Sequence, residues 1–179
     1  MNFEETYNRG YQLLHEQDLD ESLDMARKLQ RMKPDAAEGH LLEAEVMQKL
    51  TQWEPSIQSL NQAIEIDPED GKLYNLRGYA QLNCEQLEEA YEDFERAIKL
   101  DDLPSAHRHM VLYKLMTHDG KGAITYLLER IKQDPADVEN WILMGDLMKK
   151  GGHDDKARTY YEQALKMDPE NEYAKKQLS

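Results

Sequence analysis

Proline sets the period of this chain. Pro34 and Pro68 are 34 residues apart, Pro135 and Pro169 are again 34 apart, and Pro68 and Pro135 are separated by 67, two periods less one residue. Proline removes a backbone donor and clashes with the preceding turn, so each one stops a helix that would otherwise run through it. The runs that lead into them are alike: "LQRMKP" at 29–34, "AIEIDP" at 63–68, "RIKQDP" at 130–135 and "ALKMDP" at 164–169. Between prolines there is room for two helices of about 12 to 14 residues and two short turns. The unit is a helical hairpin. Five such units fit, at about 3–36, 37–70, 71–103, 104–137 and 138–171, with 172–179 as a short polar cap. The whole of 1–179 then reads as a single repeat domain.

Small residues recur where two helices of a hairpin must approach. Gly78, Ala90 and Ala97 in the third unit, Gly145, Ala157 and Ala164 in the fifth, and Ala44, Ser56 and Ala63 in the second share spacings of 12 and 7. Glycine inside a helix costs about 0.5–1 kcal/mol relative to alanine, so its recurrence there requires a gain in packing. The tripeptide Arg-Gly-Tyr returns at Arg9 and Arg77, two periods apart, which predicts the same inter-helix contact in units one and three. Helix formers dominate the composition, and Phe and Trp number two each, which argues for an all-α protein.

These residues resemble the tetratricopeptide repeat family, whose 34-residue unit carries an aromatic, a Leu-Gly-like pair and a large residue on helix A, then Ala, an aromatic, Ala and Pro on helix B. The fifth unit matches through Trp141, Met144, Gly145, Met148, Ala157, Tyr161, Ala164 and Pro169, and the third through Tyr74, Arg77, Gly78, Ala90, Phe94 and Ala97. Units one and four depart from it, with Ala26 and Leu29, and with Val111 and Arg130, at signature positions. The segment "KLDDLPSAH" is one residue short and lacks the Asp-Pro pair, so a break in regularity is expected at Asp101 to Ser105. The resemblance implies an all-α, right-handed superhelical solenoid of five hairpins with a capping helix at its C-terminal end.

In such a solenoid the A helices line a concave face. The resemblance then implies a binding groove, and helical periodicity nominates its contacts as Tyr7, Tyr11, Leu42, Asn75, Leu76, Tyr79, His109, Leu112 and Leu143. The stripe is apolar and rich in tyrosine, a residue that supplies contact area with a polar handle. Filling of gaps between A helices is the competing role for the tyrosines. The Lys and Asn clamp by which some family members hold acidic chaperone tails is not reproduced, since only Lys72 fits it. Trp53 occupies the same turn position as Leu19 and Leu87 and is assigned to packing.

Acidic residues outnumber basic ones, with a formal net charge of −14, which disfavours nucleic acid and anionic lipid as partners. No apolar run is long enough to span a bilayer, and the acidic "MNFEETYNRG" does not read as a secretory signal, so a cytoplasmic location is expected. Cys84 is alone and has no disulfide partner within the chain. His107 and His109 lie two apart on one helix and point in different directions, unlike an i, i+4 metal pair. Glu88-Glu89 and Asp154-Asp155 open helices, where acids serve the helix dipole. "DGKGA" at 119–123 lacks the spacing of a phosphate loop. No catalytic residue, metal or cofactor is expected.

The function expected is a non-catalytic adaptor, scaffold or chaperone-like module. Its partner would be another protein, bound through a peptide or helix that is apolar or amphipathic with basic flanks. Alternatives are a structural unit that self-associates through its ends, and a secretion-type chaperone that holds apolar segments of exported proteins.

Overall fold

Left-handed backbone recurs down the chain as regularly as proline does. In the computed structural model, which describes residues 1–179, φ is positive at Gln17, Thr51, Glu85, His118 and Gly152, at 64°, 57°, 60°, 60° and 74°. Each of these residues follows the first helix of a pair. In each turn the next amide donates to the carbonyl five residues before it, as in Asp18 to Leu13 (2.9 Å) and His153 to Met148 (2.9 Å). This is the Schellman ending, which satisfies carbonyls that the helix leaves free. The turns are 34, 34, 33 and 34 residues apart, so the missing residue falls between Glu85 and His118.

The helices so delimited are α1 (Phe3–His15) and α2 (Leu19–Met32), α3 (Glu38–Lys49) and α4 (Trp53–Ile66), α5 (Gly71–Asn83) and α6 (Leu87–Asp101), α7 (Pro104–Met116) and α8 (Gly120–Gln133), α9 (Val138–Lys150) and α10 (Asp154–Met167), and α11 (Glu172–Leu178). There is no strand. The second helix of a pair ends on an extended residue before proline: Lys33, Asp67, Asp134 and Asp168 have φ between −142° and −128° with ψ of 87° or 88°. Steric conflict with the proline ring imposes that conformation. The exception is α6. No proline follows Asp102, which turns left-handed at φ 46° and ψ 40°, so that α7 begins at Pro104. The irregularity expected at Asp101 to Ser105 is thus a backbone inversion at one residue.

The helices fall into two compact units, residues 1–113 and 114–179, with the boundary inside α7. In the first unit the core is built from Leu29, Leu42, Val46, Leu60, Leu73, Leu82 and Phe94, all fully buried. A Cβ on Gly78 would lie 2.8 Å from the Phe94 ring, so the glycine is what lets α5 approach α6. In the second unit Gly145 faces Tyr161 in the same way, with 2.5 Å between its imagined Cβ and the ring. There α11 covers α9 and α10: Ala174 is fully buried, the Tyr173 hydroxyl donates to Asp146 (2.9 Å), and Lys149 donates to Gln177 (2.8 Å). No helix is long and apolar enough to cross a membrane.

A candidate binding groove within residues 1–113

Helices α1, α3 and α5 present successive turns to one groove, because the 34-residue repeat returns equivalent side chains to the same side of the stack. The groove has a volume of about 430 Å³ and is lined by Tyr11, Leu14 and His15 of α1, Glu45, Gln48 and Lys49 of α3, Trp53 at the start of α4, and Leu76 and Tyr79 of α5. Trp53 and Tyr79 meet edge to face, with ring centroids 5.7 Å apart and planes at 87°. Tyr79 stacks on its other side against His109 at 4.7 Å. Gln48 ties the floor together by donating to the Leu76 carbonyl (2.9 Å) and the Ser56 hydroxyl (3.2 Å).

The polar floor is unusual. Glu45 is paired with Lys72 at 2.8 Å, and the Lys72 ammonium also lies 5.8 Å from the centroid of the Tyr11 ring. The Tyr11 hydroxyl and the second Glu45 oxygen are both buried, and neither has a hydrogen bond of proper geometry. Burial, and after it the adjacent Glu45 charge, push the Tyr11 phenol well above its ordinary value. Tyr11 is therefore held as a neutral, largely apolar wall. At the mouth, His15 and Lys49 are exposed and form neither an ion pair nor a hydrogen bond.

Of the nine residues nominated from periodicity, Tyr11, Leu76 and Tyr79 line this groove together. Tyr7 lies behind it, its ring 4.8 Å from that of Tyr11 and packed on the Leu14, Leu42 and Val46 core. His109 backs Tyr79. Burial and then the neighbouring Arg108 charge push its imidazole down to about 4, so it is neutral near pH 7. Its Nδ1 carries the proton donated to the Asn75 carbonyl oxygen (2.8 Å).

Two nominations are corrected. Leu42 is fully buried, because Gly10 has no side chain and Leu42 fills the space opposite: a Cβ there would lie 2.4 Å from Leu42 Cδ2. Asn75 is 3% exposed and joins α5 to α7, donating to Ser105 Oγ (3.0 Å) while accepting from His109. Leu112 is exposed on α7 and Leu143 is partly buried on α9; neither is in the lining. The assignment of Trp53 to packing supposes that A helices alone build the face, yet the indole enters the groove from the first residue of α4. Its size relative to Leu19 and Leu87 at the equivalent positions is the signal in the sequence for that role.

Family models described as tetratricopeptide repeat match residues 59–92 and 138–171. The mitochondrial import receptor subunit TOM70 of Homo sapiens is 28% identical over 125 residues, which take 65% of this chain. The match covers 20% of that protein, so the chain spans about a fifth of the length of this curated relative. Among solved structures, TTC0263, a thermophilic TPR protein of Thermus thermophilus, superposes with a TM-score of 0.79 over 99% of this chain and 97% of its own at 16% identity. YrrB, described as a TPR protein with an unusual peptide-binding site, gives a TM-score of 0.62 over 96% and 89% at 17% identity. The repeat period, the hairpins and these matches agree: residues 59–92 and 138–171 are tetratricopeptide repeats, in a chain that shares the fold of solved repeat proteins.

Proposed function

We propose that the chain is a non-catalytic protein-interaction module whose groove in residues 1–113 holds an apolar side chain of a partner's peptide or helix. Proteins of this repeat family generally mediate protein–protein interaction. The observation that carries the finer reading is the groove itself, where Tyr11, Leu14, Trp53, Leu76 and Tyr79 present apolar surface in a concavity of about 430 Å³. A cleft of that size walled by aromatic and aliphatic groups suits one or two inserted side chains. Each would contribute about 1.5–3 kcal/mol by burial, before the cost of ordering the segment. Two such anchors together supply about 3–6 kcal/mol, which corresponds to a Kd between about millimolar and tens of micromolar. The peptide-binding site of YrrB lends the reading support by analogy of fold alone.

The test is affinity capture from lysate of the source cells with wild type and with a Trp53→Ala, Tyr79→Ala double variant whose circular dichroism is unchanged. A prey retained by wild type and lost by the variant supports the groove. Equal capture by both proteins overturns it.

A further inference from the structure

We propose that the groove selects an apolar anchor with an acidic residue beside it, and that Lys49 sets this preference. The inference rests on the groove being the binding site.

The chain as a whole carries a net charge of −14, which taken alone favours basic flanks. The residues at the groove argue the opposite. Its only lining anion, Glu45, is engaged by Lys72 at 2.8 Å, and the remaining Glu45 oxygen is buried out of reach of solvent. Lys49 at the mouth is exposed and has no counter-ion, and His15, also unpaired, lies on the same rim. Charge acts over about 8 Å at physiological ionic strength, so a side chain flanking the anchor at this rim senses Lys49 directly, while Lys72 and Glu45 offset each other. A carboxylate next to the anchor finds a free ammonium there, whereas a lysine or arginine finds a like charge and a carboxylate already taken. Charge complementarity of this kind fixes register and partner choice more than raw affinity.

The probe is a pool of random 12-residue peptides displayed on phage, selected separately on wild type, Lys49→Glu and Trp53→Ala. Lys49 is exposed at the end of α3, so its charge reversal leaves the core untouched. The strongest wild-type peptide and its counterpart with each Asp or Glu replaced by Lys are then measured by fluorescence polarisation at low and high salt. The expected result is a preference of about fivefold for the acidic peptide on wild type, reversed on Lys49→Glu and diminished by salt. A tighter basic counterpart on wild type, or the same preference on Lys49→Glu, overturns the inference and leaves the groove standing. Undiminished binding to Trp53→Ala, or a wild-type pool without apolar enrichment, overturns the groove reading itself.

Discussion

Arg9-Gly10-Tyr11 and Arg77-Gly78-Tyr79 are the same three residues on α1 and α5, yet they hold their surroundings by different means. Gly10 makes room for Leu42 of the next helix pair, whereas Gly78 makes room for the Phe94 ring of its own pair. Arg9 reaches Glu16 and Glu21 only at 3.7 and 3.9 Å on the surface. Arg77 makes two 2.7 Å bonds to Asp93 and a third, of 2.8 Å, to Asn61. Tyr11 keeps its hydroxyl buried beside Glu45, and Tyr79 meets Trp53 edge to face and stacks on His109. The repeat therefore dictates where a side chain starts, while its neighbours, which the repeat does not copy, decide what it contributes.

The sharpest way to break the comparison is to disrupt the two sets of arginine pairs. Burial pushes the Asp93 carboxyl up against the lowering by Arg77, so this pair is costly to bury and costlier to leave half-made. Asp93→Ala is expected to destabilise by about 2–4 kcal/mol in denaturant unfolding. Arg9→Ala should change the same midpoint by less than about 0.5 kcal/mol, as exposed pairs do.

Acid should also tell the two regions apart. The folded His109 value of about 4 lies below the ordinary value of 6.5, so the folded state resists protonation more than the unfolded state does. Its contribution is fully present above pH 6.5, declines as pH falls toward 4, and amounts to about 3 kcal/mol before solvent screening. His109→Gln should flatten stability between pH 6.5 and 4, and a His109 titration by NMR near 6.5 would contradict the assignment.

The glycines separate by a smaller margin. Gly78→Ala drives a methyl against a buried aromatic ring and the Ala90 carbonyl, for a loss of about 1–3 kcal/mol. Gly10→Ala meets the far end of Leu42 and regains about 0.5–1 kcal/mol of helix preference, so its net cost should be under about 1 kcal/mol. One small effect is stabilising. Thr51 occupies the left-handed position that Gly152 fills in the fifth pair, and Thr51→Gly should raise stability by about 0.5–1 kcal/mol, seen as a melting point a few degrees higher.

Hairpin boundaries were legible because they depend on local chemistry. Proline forces the residue before it to extend, and three-residue turns leave room for one left-handed position, so the phase could be counted from the prolines alone. Even the short joint between α6 and α7 was visible as a step of one residue less than the period, although the inversion at Asp102 was not. The groove was legible only in part. Tyr11, Leu76 and Tyr79 follow from spacing, but Leu42 is drawn inward by the absence of a side chain at Gly10, and Asn75 is claimed by Ser105 and His109 from another helix. Trp53 reaches the groove from outside the A-helix stripe. Each of these outcomes depends on contacts between different helices, far apart in sequence, which helical periodicity does not encode.

The central claim is that recognition occurs at the groove formed by α1, α3, α4 and α5. The direct measurement is a two-dimensional ¹H–¹⁵N NMR titration of the wild-type chain with its strongest selected apolar peptide. Saturable shifts at the Trp53 indole, the Gln48 side-chain amide and the Tyr79 backbone, with residues 114–179 undisturbed, are the expected result. Shifts centred on α9 to α11, with Trp53 and Gln48 unmoved, would contradict it.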